Sequence, residues 1–170
     1  VFSQSNDTQL ALNYYRNEEY DKAGELYLKL YEETGYKNNR DYYLRCLFNL
    51  KDYDIAEKFL KKEIRKNKND FYLQIDLGMV YFNSNKFDEA DKIFNEVIET
   101  VKRNRNNVYS AAATFINYRQ YSYAEQAYKT GASYLRTDFD MELGNLFYIQ
   151  RDYQRMMGYY LDHLKNNANV

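Results

Sequence analysis

A chain of 170 residues has the length of one ordinary domain, and 45% apolar content with 18% aromatic is ample for a core. A formal net charge of −1, with both signs interspersed, excludes the long-range field that draws a protein to nucleic acid or to an anionic membrane. One Cys and one His exclude an internal disulfide, a cysteine-based metal cluster and a triad, so no catalytic residue, metal or cofactor is expected.

Residues 1–5 read as an N-terminal tail, in which Val1-Phe2-Ser3-Gln4 precedes the polar Ser5-Asn6-Asp7. That start fits the remnant of a cut export segment, which is favoured, or an arbitrary boundary. The compartment is otherwise unreadable. A first helix pair is expected over 6–37, with Leu10-Ala11-x-x-Tyr14 on its first helix, Tyr20-Asp21-Lys22-Ala23 and Tyr27 on its second, and Gly35 as the stop. Residues 38–70 follow with Tyr43-Leu44-x-x-Leu47, then Tyr53-Asp54-Ile55-Ala56 and Leu60, broken at Asn67 to Asn69. Residues 71–104 carry Leu77-Gly78-x-x-Tyr81, then Phe87-Asp88-Glu89-Ala90 and Phe94, and a second Asn-rich break spans Asn104 to Asn107. Residues 105–136 carry Ala111-Ala112-x-x-Phe115, Tyr121 to Ala124 and Tyr128. The last pair, 137–166, carries Leu143-Gly144-x-x-Phe147, Tyr153 to Met156 and Tyr160, and 167–170 form a C-terminal tail.

The aromatics at 20, 53, 87, 121 and 153 are separated by 33, 34, 34 and 32 residues, the period of a helix-turn-helix repeat array. The small residues Ala11, Gly78, Ala112 and Gly144 on the first helices, and Ala23, Ala56, Ala90 and Ala124 on the second, let paired helices approach closely. Met156 is the exception. Asp21, Asp54 and Asp88 sit in first turns, where they complement the helix dipole rather than serve as catalytic carboxylates. Cys46 reads as a small buried hydrophobe, and His163 as a packing or partly exposed residue. The basic run from Lys58 to Lys68 reads as a solvated outer face.

Over roughly residues 6 to 166 this pattern resembles the tetratricopeptide repeat in about five copies, although the chain has neither the family's Trp nor its Pro. The resemblance implies an all-α, right-handed alpha-alpha superhelix of five helix pairs whose first helices line a concave groove. It also implies a non-enzymatic module that binds a peptide or helix of another protein. Mapped onto this sequence, the groove would hold Tyr15; Arg45, Phe48 and Asn49; Tyr72, Ile75, Met79, Phe82 and Asn83; Tyr109, Ile116 and Asn117; and Met141, Asn145 and Tyr148. So drawn, its middle is aromatic and apolar. The subset of the family that grips a C-terminal carboxylate needs basic residues where this chain has Thr8, Leu12, Tyr42, Tyr72 and Asp76, so that mode is disfavoured. Asn49, Asn83 and Asn117 recur every 34 residues, as helix caps in the favoured reading or as contacts to a peptide backbone in the other.

The expected partner is another protein; no nucleic acid and no membrane span are expected, since no run of about 20 apolar residues occurs. The end of repeat five, with Met156, Met157, Tyr159, Tyr160, Leu161 and Leu164, is unusually apolar for a capping helix. This leaves open a homo-oligomer, a further domain, or a structural role in a larger envelope assembly through the C-terminal face.

Overall fold

The computed structural model describes residues 2–167, and side chains within 6–166. Ten helices and no strand occur among them: α1 (Phe2–Arg16), α2 (Tyr20–Thr34), α3 (Lys37–Leu50), α4 (Tyr53–Lys66), α5 (Phe71–Asn83), α6 (Phe87–Val101), α7 (Arg105–Asn117), α8 (Tyr121–Leu135), α9 (Asp140–Ile149) and α10 (Tyr153–Asn167). The chain is an alpha-alpha solenoid. α1 starts at Phe2, so helix occupies most of the segment expected to be a tail; Val1 and residues 168–170 lie outside the described residues. No described helix is long and apolar enough to cross a membrane.

The five periodic aromatics each open a second helix, and the turn before them is the same object five times. Glu18, Lys51, Asn85, Arg119 and Arg151 all adopt left-handed backbone, with φ between 57° and 61°. In each turn the next residue's N–H donates back to a signature carbonyl: Glu19 to Tyr14, Asp52 to Leu47, Lys86 to Tyr81, Gln120 to Phe115 and Asp152 to Phe147, at 2.8–2.9 Å. These are Schellman closures, which normally favour Gly or Asn. Only Asn85 fits that preference, so the repeat period is written in turn geometry that the residue types conceal. Gly35, at φ 69°, ends α2 as expected.

Packing follows the small residues. A Cβ on Gly78 would sit 2.7 Å from Phe94 Cδ1, so α5 and α6 are in direct backbone-to-ring contact. Ala11, Ala23, Ala56, Ala90, Ala112 and Ala124 are all buried. The second pair differs: Leu44 stands where the other first helices carry Ala or Gly, and α3 packs much more extensively on α2 than on α4. There Gly24 admits α3, a Cβ at that position meeting Cys46 Cβ at 3.3 Å, while α4 turns to α5.

The interior forms two clusters that share α5. Leu73, Leu77 and Val80 join Tyr27, Leu44 and Leu60 on one side; Ile75 and Met79 join Phe94, Phe115, Phe139 and Leu146 on the other. Tyrosines stitch successive repeats through carboxylates: Tyr31 donates to Glu63 at 2.6 Å, Tyr123 to Asp91 at 2.9 Å, and Tyr109 to Glu142. The basic run from Lys58 to Lys68 is exposed, two of its lysines pairing with Glu57 and Glu63. Cys46 is buried, which pushes its thiol up to about 11 and makes it inert as a nucleophile.

Candidate functional site

α1, α3, α5 and α7 enclose a concave cavity of about 690 Å³. Its floor is Asp76, half-buried at the centre of α5, whose Oδ1 accepts the Tyr118 hydroxyl at 2.5 Å. Asp76 is the one charge between Phe71 and Asn83. Helix periodicity places it on the face with Tyr72 and Asn83. Burial pushes its carboxyl up to about 6; Asp41 and Asp70 add to the rise, while the Tyr118 hydroxyl and Arg40 oppose it. The Tyr118 phenol is itself raised well beyond its ordinary value, first by burial and then by the Asp76 charge.

One rim is an ion network on α3. Arg40 is 6% exposed; its Nε and Nη2 donate to Asp41 Oδ1 at 3.0 and 2.9 Å, and its Nη1 lies 3.6 Å from Asp70 Oδ2. Asp70 has a second task, since its Oδ1 accepts the Tyr72 backbone N–H at 3.1 Å and caps α5. Arg40 is therefore committed to its own carboxylates. Arg45 is exposed and lies 5.4 Å above the Tyr42 ring, with its guanidinium available at the cavity mouth. Rings of Tyr15, Phe48, Tyr72 and Tyr118 supply the apolar wall, and the amides of Asn49 and Asn117 border it.

Six of the residues mapped from the sequence meet at this cavity: Tyr15, Arg45, Phe48, Asn49, Tyr72 and Asn117. Two of the others are core residues. Ile75 and Met79, 0% and 5% exposed, sit in the core with Phe94 and Phe115, because the i, i+4 pair faces α6 and α7 rather than the concave side. Their removal from the groove corrects its expected character: the middle is polar and charged, with aromatic walls. Ile116 is half-buried against the same core. Tyr109 packs on Tyr128 and Phe139 and bonds Glu142, which makes it a junction residue between α7 and α9. Phe82 stacks edge-on against Phe87 beside the α5–α6 turn. Asn49 and Asn83 fold their amides back onto the Arg45 and Met79 carbonyls one turn earlier, both at 2.8 Å. Met141, Asn145 and Tyr148 are exposed on α9 outside the cavity, Asn145 accepting the Tyr160 hydroxyl at 2.8 Å.

The sequence reading passed over Arg40, Asp70 and Tyr118, and treated Asp76 only as a missing base. A signal for Asp76 was present: a lone carboxylate inside an apolar helix needs a partner or a function. Arg40 and Tyr118 carried none, since their importance arises from α3 and α7 converging on α5 across the superhelix.

No family model and no curated protein matches the chain. Among solved structures, MamA 41-end from Desulfovibrio magneticus RS-1 superposes with a TM-score of 0.50 at 13% identity, covering 98% of this chain and 97% of that one. A double mutant of MamA RS-1 gives the same score and identity. Pseudomonas aeruginosa pilF gives 0.50 at 18% identity, over 96% of this chain and 76% of its own. Both are tetratricopeptide-containing proteins, and at such identities the likeness establishes a tetratricopeptide-like fold and nothing about partners.

Proposed function

We propose that this chain is a non-enzymatic interaction module that holds a peptide or helical segment of another protein in its concave cavity. The observation that carries the reading is the cavity itself: about 690 Å³, open on the concave side, walled by four aromatic rings and floored by a desolvated carboxylate. Tyr72, 43% exposed, and the half-buried Phe48 and Tyr15 offer rings to apolar side chains of a ligand. Arg45, Asn49 and Asn117 offer donors for a ligand's carbonyl or carboxylate oxygens. Arg40 is preset by Asp41 and Asp70, so the site is organised before a ligand arrives. The tetratricopeptide-like neighbours support the reading at the level of fold.

The test is a pull-down from cell extract with the wild-type chain, a triple variant Tyr72→Ala, Arg45→Ala, Asn117→Ala, and a convex-face control Lys62→Ala. A partner retained by wild type and control but lost from the folded triple variant supports the cavity as the working surface. Identical partners for all three overturn it. Truncating a buried aromatic anchor costs an interface about 2 kcal/mol, near thirtyfold in affinity, which such a comparison detects.

A further inference from the structure

Six charged residues line the concave cavity: Lys37, Arg40, Asp41, Arg45, Asp70 and Asp76. The signs cancel in number but not in place. Arg40 lies 2.9 Å from Asp41 and 3.6 Å from Asp70, and Lys37 reaches Asp70 at 4.0 Å. Arg45 rests on the Tyr42 ring, 5.4 Å from its centroid. Among the described residues no cation forms an ion pair with Asp76. Its two oxygens also differ. Oδ1 accepts the Tyr118 hydroxyl at 2.5 Å, whereas Oδ2 has no hydrogen-bond partner in the chain. No buried side-chain nitrogen or oxygen among the described residues is left unbonded, and Asp76 is half-buried, so Oδ2 is open to the cavity.

Glu57 and Glu63 show the contrast. Glu63, 1% exposed, takes Lys66 at 2.7 Å, and Glu57 takes Lys61 at 2.6 Å and Lys86 at 3.3 Å. A sheltered charge is costly unless it is paired, and at these two positions the chain supplies the lysine itself. At Asp76 a ligand can supply it. The walls suit the same group. Phe48 of α3 and Tyr118, just past α7, bring their rings to 6.5 Å between centroids, and the exposed Tyr72 ring lines the same space. Aromatic faces attract a cation and pack well against an alkyl stem.

Resting on the concave-cavity reading above, we propose that the partner segment is anchored by a lysine, its ammonium on Asp76 Oδ2 and its methylene stem along the Phe48, Tyr72 and Tyr118 rings. With Oδ1 engaged by Tyr118, a compact point charge suits this carboxylate better than a guanidinium fork, which grips both oxygens. Arg45, Asn49 and Asn117, at the border, remain available to the carbonyls that flank the lysine.

The experiment is an NMR titration of the isotope-labelled chain at neutral pH with Nα-acetyl-lysine methylamide, its norleucine counterpart, which keeps the stem without the charge, and its arginine counterpart. The lysine compound should shift the resonances of Phe48, Asp76 and Tyr118 and bind at least about tenfold more tightly than the norleucine compound. It should also draw the Asp76 carboxyl titration down from about 6, since a bound cation favours the charged form. Asp76→Asn keeps an acceptor for Tyr118 and should reduce lysine binding to the norleucine level, with helical circular dichroism unchanged. Asp54→Asn, on an exposed part of α4, should leave binding as it was. Norleucine binding equal to lysine, lysine binding that survives Asp76→Asn, or arginine binding more tightly than lysine overturns the proposal and leaves the concave reading standing. That reading is decided separately by the pull-down with the Tyr72, Arg45 and Asn117 triple variant, and partners unchanged there overturn both.

Discussion

Replacing Asp76 by Asn tests the physics of the cavity floor. In the folded chain its carboxyl titrates at about 6 against an ordinary 3.8. Holding the charged form in place therefore costs about 3 kcal/mol at neutral pH. The folded state binds this proton more tightly than the unfolded chain does. The favourable contribution is thus complete below about pH 3.8 and lost as pH rises toward 6, above which the full cost stands. Asn keeps an oxygen to accept the Tyr118 hydroxyl and carries no charge. Asp76→Asn should therefore gain on the wild type as pH rises, the difference growing by about 3 kcal/mol from the acid to the neutral side. Urea denaturation of both proteins across that range measures the growth directly, and the other titrating groups cancel in the difference. A pH-independent gap, or a variant that loses ground on approaching neutrality, would refute the claim that desolvation dominates at this carboxylate.

Gly78→Ala should cost about 1–3 kcal/mol, because Phe94 is fully buried and cannot yield, whereas Gly144→Ala should cost less, since the half-exposed Tyr160 can swing aside; equal losses in thermal melts would contradict this. Lys51→Gly and Arg119→Gly should each stabilise by about 0.5–1 kcal/mol by relieving left-handed backbone, and Asn85→Gly should gain little; a melting point unchanged or lowered in the first two would count against the turn geometry. Tyr31→Phe should cost about 1–3 kcal/mol by taking a donor from the buried Glu63. Burial alone would raise the Glu63 carboxyl, yet hydrogen bonds from Lys66 and Tyr31 hold it below its ordinary value, so this stability is present at neutral pH and lost on acidification. The Tyr31→Phe deficit should accordingly shrink in acid, and a deficit constant with pH would show that the hydroxyl does not serve Glu63.

The fold was legible because repetition averages out local ambiguity. Tyr20, Tyr53, Phe87, Tyr121 and Tyr153 each begin a helix, and the alanines three residues after the first four are buried. Leu44, at the small-residue position of its repeat, drew no notice in the sequence, because its consequence, α3 leaning on α2, depends on how α4 answers. The site was less readable because helical register is unforgiving. Moving from Asp76 to Ile75 turns a side chain by about 100°, from cavity floor to core. Arg40, Asp76 and Tyr118 meet across separations that no local pattern encodes, and only the curvature of the array brings them together.

The sharing of α5 between both interior clusters bears on how the molecule comes apart. In a stack of independent repeats, unfolding can start at either end and stop at any junction, leaving part of the array standing. Here one helix supplies interior to both halves, so neither half keeps its core when α5 melts. Fraying from the ends should therefore halt at α5 and then give way to a single concerted transition. Amide protons of Leu73 to Val80 should be the slowest in the chain to exchange, opening only with global unfolding.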